Sequence, residues 1–242
     1  MDRPGLIDPA DKSAPRIAGM FDRIAPRYDF LNHVLSAGID RRWRRRAIRS
    51  LQLTGREIVL DLCTGTADLA IAAVDRPPAA RRVVGVDFAG EMLRIGREKI
   101  AGDRLADRIA LARGDATRLP VASASVDALT IGFGIRNVND VAAACAEIVR
   151  VLRPGGRLAI LEFAIPTLPV VRLTYLWYFR RVLPLIGRWL SRHDAAYSYL
   201  PASVGAFAAP QEFVTILRQA GLSDVSGVPL TLGIVYLYTA RR

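Results

Sequence analysis

The sequence predicts an α/β fold: a mostly parallel sheet of seven strands, one of them reversed, flanked by helices and preceded by an N-terminal helical extension. Three observations predict it. From residue 57 onward, short apolar runs alternate with amphipathic helical segments, and most of the runs close on a small or acidic residue. The last two runs are joined by so few residues that they can pair only antiparallel.

Residues 14–51 read as helical, with Trp43 and Ile48 set among dense arginines and a break at Gly38. Residues 1–51 are therefore assigned to a helical extension or lid, part of the same domain as residues 52–242. The strand-like runs are 58–61, 82–87, 109–112, 126–132 and 157–163, with helices expected at 68–74, 90–101 and 141–152. Pro154-Gly155-Gly156 predicts a tight turn into the fifth strand. After an apolar stretch at 168–190 come a helix at 210–220 and two runs, 225–229 and 234–239, joined through Leu230-Thr231-Leu232-Gly233.

A chain of 242 residues suits one α/β domain, and 51% hydrophobic residues confine expected disorder to the termini. Net charge is +11, which favours an anionic membrane face or nucleic acid, although a compositional bias of the genome produces the same balance. Cys63 and Cys145 each sit in an apolar or helical context, so separate burial and a reducing compartment are expected. Residues 1–13 carry no apolar signal region, and Arg172, Arg180, Arg181, Arg188 and Pro184 interrupt the 168–190 stretch too often for a membrane span. The expectation is a cytoplasmic protein.

Open parallel sheets bind ligands beyond the carboxyl ends of their strands, where strand order reverses. The first strand ends in Asp61 and leads through Thr64-Gly65-Thr66-Ala67-Asp68 into a helix, a small-residue turn that admits a ligand close to the backbone. Ala67 and Cys63 occupy positions where a nucleotide-binding turn commonly has glycine. Asp87 ends the second strand, where its two oxygens match the two hydroxyls of a ribose, and Asp115, in Gly114-Asp115-Ala116, follows the third, within reach of an adenine amine. Three acids at consecutive strand ends thus converge on one crevice of a Rossmann-like sheet. A dinucleotide would place its pyrophosphate at the helix N-terminus, where Asp68 would repel it. A cationic nucleoside without phosphates fits better, and S-adenosylmethionine is such a molecule; no metal is expected.

At this point the chain resembles the ubiquinone/menaquinone biosynthesis C-methyltransferases, a group of class I S-adenosylmethionine-dependent methyltransferases. The segments that carry the resemblance are Met20-Phe21-Asp22-Arg23-Ile24-Ala25 with Tyr28-Asp29-Phe30-Leu31-Asn32, and Leu35-Ser36-Ala37-Gly38-Ile39-Asp40-Arg41-Arg42-Trp43-Arg44. Others are Phe133-Gly134-Ile135-Arg136-Asn137-Val138, the stretches 151–157 and 161–163, and the stretches 197–201 and 230–235. The resemblance covers nearly the whole chain from about Ala14. It implies methyl transfer from S-adenosylmethionine to a ring carbon of a demethylated prenyl-quinol, with Thr66, Asp87, Asp115 and Ala116 contacting the cofactor. Where ubiquinone-type members often have Ser before the residue matching Phe133, this chain has Gly132, which favours the menaquinone-type reaction, demethylmenaquinol to menaquinol.

Methylation of an aromatic carbon requires that a neighbouring hydroxyl lose its proton as the ring attacks the sulfonium methyl. Arg136 is expected to stabilise the developing phenolate, with a water as base, because a guanidinium does not readily give up its own proton. Asn137, Tyr28 and Asn32 are expected to orient the quinol oxygens, Tyr28 also covering the cofactor, and His33 is the candidate general base. His193 is expected at the surface. The aromatic and arginine side chains of 168–190, Tyr175, Trp177, Tyr178, Phe179 and Trp189 among them, suit peripheral contact with the inner face of a membrane; a homodimer interface or packing on the sheet remains open. Two other functions compete. A nucleic-acid methyltransferase fits the charge, but Gly132-Phe133-Gly134 is neither an Asn-Pro-Pro-aromatic run nor a Pro-Cys nucleophile, so no nucleic acid is expected. A non-catalytic partner of quinone-synthesis enzymes fits the fold, but it has no need of all three acids.

Overall fold

The computed structural model describes residues 14–36, 38–178, 181 and 195–242. Seven strands form one sheet: β1 (Ile58–Leu62), β2 (Arg82–Asp87), β3 (Ile109–Arg113), β4 (Val126–Gly132), β5 (Leu152–Phe163), β6 (Ser223–Leu230) and β7 (Val235–Arg241). Their order is β3-β2-β1-β4-β5-β7-β6. Pairing is parallel from β3 through β5, and β7 alone is reversed, antiparallel to both β5 and β6. Eight helices are described: α1 (Ala14–Leu35), α2 (Asp40–Ser50), α3 (Asp68–Val74), α4 (Gly90–Gly102), α5 (Val141–Val151), α6 (Pro169–Trp177), α7 (Ala195–Ala206) and α8 (Pro210–Gln219).

Both faces of the sheet are covered, which explains why the central strands read as continuous apolar runs. In β1, Leu60 and Leu62 enter a core that includes Ile148 of α5 and Phe213 and Leu217 of α8. Val59 enters the opposite core, with Trp43 and Ala47 of α2 and Ala70 and Ala73 of α3. Alternation thus puts Asp61 on the α2 and α3 face, where its register partner on β4 is Thr130. The extension is not an appendage. Its second helix shares this core through Trp43, Ala47 and Leu51, while α1 buries Ile17, Met20 and Ala25 among Tyr199, Ala89 and Met92.

One expected feature is corrected. The tight turn at Pro154-Gly155-Gly156 lies inside β5, which begins at Leu152, and the register against β4 slips between Val126 and Ala128. The reason is long-range. Gly155 N–H donates to the Arg242 carbonyl and Arg242 N–H to that of Gly156, so the chain's last residue pairs with the segment and draws it into the sheet. Gly155 absorbs the distortion at φ +76°. Of the 168–190 stretch, α6 and its immediate flank are described; Phe179, Arg180, Pro184, Arg188, Trp189 and His193 lie outside the described residues. Among the described residues no helix is long and apolar enough to cross a membrane.

Candidate active site

The strand order reverses at β1, which lies between β2 and β4, so the loops after β1, β2, β3 and β4 surround one crevice. The β1–α3 loop is wound tightly, with Cys63 at φ +54°, Gly65 at +55° and Ala67 at +67°. Two non-glycines in the left-handed region cost about 1–2 kcal/mol each. Space for the Cys63 side chain comes from across the crevice: a Cβ on Gly134 would lie 2.3 Å from that of Cys63. The glycine missing from the loop is compensated by one on the opposite wall.

The three acids are held differently. Asp61 is buried and accepts from Thr130 Oγ1 at 2.7 Å and Thr64 Oγ1 at 2.6 Å; burial pushes its carboxyl up to about 6. Asp87 accepts from Gly65 N at 2.8 Å and Ala89 N at 2.9 Å, tying the first loop to the second. Burial raises its carboxyl above the usual range, against the pull of those N–H groups. Asp115 is exposed, and its Oδ1 takes both Thr117 N and Thr117 Oγ1 at 2.8 Å. Asp87, Asp115 and Ala116 line one groove of about 350 Å³, with Asn137 and Asp140 on its far side. A carboxylate oxygen bonded once keeps a second acceptor position, so Asp87 retains the capacity for two ribose hydroxyls. Gly65, Cys63 and Gly132 continue the groove toward Tyr28 and Phe133. Asp61 and Thr66 lie beneath it, Thr66 donating to Asp29 Oδ1 at 2.5 Å. These residues fit S-adenosylmethionine: the groove takes a nucleoside, two acids suit its donors, and Asp68 is neutralised by Arg44 and Lys99 rather than by a phosphate-binding arrangement.

Beyond Tyr28 and Phe133 lies a second, larger chamber of about 550 Å³. Its walls are Phe21, Ile24, Ile39, Trp43, Phe163, Val170, Tyr175 and Ile234, and Phe133 stacks on Phe163 at 4.5 Å while meeting Trp43 edge-on at 6.0 Å. Phe21, Tyr28 and Phe133 line both spaces and so form the partition between them. Burial raises the hydroxyls of Tyr28, Tyr175, Tyr178 and Tyr199, so the chamber's phenols stay protonated at neutral pH.

The expected catalytic residues separate. Arg136 and Tyr28 line the chamber, as does Asn32. Arg136 is tied down: Nη1 donates to Glu162 Oε1 at 2.6 Å and to the Phe133 carbonyl at 2.5 Å, and Nε donates to Ser203 Oγ at 3.3 Å. None of these bonds uses Nη2. Asn137 faces the cofactor groove instead, its Oδ1 accepting from the Tyr199 hydroxyl at 3.1 Å. His33 lines neither space; it sits behind Asp40, with Nδ1 3.2 Å from Asp40 Oδ2 and Nε2 accepting from Arg41. Sequence reasoning missed Glu162, Asp40 and Arg44. Glu162 is the penultimate residue of β5 and was open to the same strand-end rule that selected Asp61 and Asp87. Asp40 and Arg44 lay hidden in a run of arginines that reads as a solvated face.

A Rossmann-like sheet with an acid-rimmed nucleoside groove, free of any phosphate cradle, defines a class I S-adenosylmethionine-dependent methyltransferase. Solved structures bear out the fold. A SAM-dependent methyltransferase from Aquifex aeolicus superposes with TM-score 0.60 at 16% identity, covering 82% of this chain and 88% of that one. The [4+2]-cyclase SpnF superposes with TM-score 0.65 at 18% identity, covering 99% of both chains. At such identities the likeness concerns architecture alone. Sequence goes further. The model of the ubiE/COQ5 methyltransferase family matches residues 10–242. The ubiquinone/menaquinone biosynthesis C-methyltransferase UbiE of Geobacter sp. (strain M21) is 46% identical over 227 residues, 94% of this chain and 96% of that protein. The demethylmenaquinone methyltransferase of Lactiplantibacillus plantarum is 40% identical over 216 residues, 89% of this chain and 91% of its own length. The chain belongs to the ubiE/COQ5 methyltransferase family.

Proposed function

We propose that the protein transfers the methyl group of S-adenosylmethionine to a ring carbon of a prenylated quinol, converting demethylmenaquinol to menaquinol. The observation that carries this reading is the chamber: about 550 Å³ of mostly aromatic and aliphatic wall, meeting the nucleoside groove at Tyr28 and Phe133. A nucleic-acid base would call for a basic, open approach, whereas this chamber is greasy and partly enclosed. The names of the relatives point to the same substrate class.

When bound, S-adenosylmethionine supplies an electrophilic methyl on sulfur. The chain's own residues do the rest. Asp87 and Asp115 hold the nucleoside, Gly65, Thr66, Ala116 and Gly132 shape its bed, and Asp61 braces the loop from below. Phe133 and Tyr28 keep water from the transfer line. Arg136, through the donors its ion pair leaves over, faces the oxygen on which negative charge develops. Asn137 holds Tyr199, whose ring lines the chamber, and so acts on the quinol through a neighbour.

The mouth adds a second feature. Val170 and Leu232 line the chamber and are exposed apolar side chains, and Leu168, Leu173 and Trp177 of the α6 segment are exposed as well. An isoprenoid tail has to leave the chamber through such a rim, which suits the surface of the bilayer that stores it.

The direct test is calorimetry with S-adenosylmethionine, followed by anaerobic incubation with a reduced short-tail demethylmenaquinol. Binding and a methylated naphthoquinol are expected; no binding of the donor would overturn the reading. Arg136→Ala is a poor probe, because it strands Glu162, 0% exposed, at a cost of about 3–5 kcal/mol. The paired replacement Arg136→Gln with Glu162→Gln removes both charges. It is expected to lower turnover about a hundredfold while leaving donor binding intact.

A further inference from the structure

We propose that Asp40 is the proton acceptor for the quinol hydroxyl. The inference rests on the quinol reading above and adds to it the group that reading lacks. Among the described residues that line the chamber, Asp40 is the one carboxylate. The other titratable groups there are Arg44, Arg136 and four tyrosines. Guanidinium groups hold their protons, and the tyrosines, already protonated at neutral pH, have no site for another.

Asp40 opens α2, only 2% exposed, and its surroundings aim it. From α1, Ser36 Oγ donates to Oδ1 at 2.9 Å and His33 Nδ1 lies 3.2 Å from Oδ2. From its own helix Arg44 pairs with Oδ2 and reaches on to Asp68 of α3, which in turn binds Lys99 of α4. The charges around it therefore alternate, with an Asp68 oxygen within 4.8 Å of one of its own. A carboxylate has about four acceptor positions, so these partners leave room for a substrate hydroxyl. His33 Nε2 accepts from Arg41, which places the imidazole proton on Nδ1. His33 is thus a positioning residue and not the base.

The step balances without a further reactant. The quinol O–H bond breaks and its proton goes to an Asp40 oxygen; the ring carbon forms a C–C bond to the methyl as the S–C bond breaks, the electron pair remaining on sulfur. The ring then loses the hydrogen of the attacked carbon and recovers its hydroxyl, so one net proton is released.

The test compares the parent with Asp40→Asn and His33→Asn in single turnover under anaerobic conditions, with donor binding by calorimetry and fold by circular dichroism measured alongside. Asp40→Asn is expected to bind the donor within threefold of the parent and to react at least a hundredfold more slowly at pH 7. Its rate should climb about tenfold per pH unit, because prior ionisation of the quinol then replaces the missing base. A loss of equal size at every pH marks a structural role for Asp40 and overturns the proposal. So does a rate within fivefold of the parent, or a larger loss in His33→Asn. A parent that methylates no quinol strikes the substrate reading instead, which keeps the two failures apart.

Discussion

At Asp61 a buried carboxylate is held by two threonine hydroxyls. Burial raises its pKa from 3.8 to about 6, so the charged form is the disfavoured one in the folded protein. The sign follows. Below the unfolded value both states are protonated and no penalty exists; as pH rises through the interval from about 4 to about 6 the folded state resists ionisation and stability falls. A shift of this size is worth on the order of 3 kcal/mol. Urea unfolding at pH 4 and pH 7 is expected to show Asp61→Asn losing less stability across that interval than the parent. Equal losses would remove Asp61 from the pH response.

Among the elements, α1 bears on both the cofactor loop and the chamber. It is pinned to the cofactor loop by Asp29, which accepts from Thr66 Oγ1 at 2.5 Å and pairs with Lys99 Nζ at 2.7 Å, and to α4 by Asp22, which accepts from Glu91 N at 2.9 Å. The Asp29 pair is about a third exposed, so solvent screens it and its contribution is about 1 kcal/mol. That is enough to matter for a helix bearing Tyr28. Asp29→Asn is expected to raise the Kd for S-adenosylmethionine about fivefold and to speed proteolytic cleavage within 14–35, with little change in global unfolding. An unchanged Kd and cleavage rate would show that α1 is held by its apolar contacts alone.

For the whole molecule the question is how a greasy chamber meets its substrate. Leu173 is 73% exposed and Trp177 58%, while α2, whose inner face lines the chamber, presents Arg41, Arg42, Arg45, Arg46 and Arg49 outward. Apolar rim and basic face together suit an anionic bilayer. Leu173→Glu with Trp177→Glu is expected to abolish co-sedimentation with anionic vesicles at low salt, where screening is weakest. It should slow methylation of vesicle-borne quinol about tenfold and spare a short-tail substrate. Unaltered co-sedimentation would place the contact elsewhere.

Strands β1 to β4, the reversed strand, and the acids Asp61, Asp87 and Asp115 were legible in the chain because hydrophobic period and strand-end chemistry are local properties. So was the family, whose segments are contiguous. What only the tertiary structure decided depends on residues far apart in sequence. Arg242 turns a Pro-Gly-Gly turn into a bulge, and Gly134 makes room for Cys63. Glu162 claims much of Arg136, and Asp40, inside an arginine run, faces an apolar chamber while His33 stays behind it. Burial and partners set the chemistry of a charged side chain, and neither is fixed until the chain has packed.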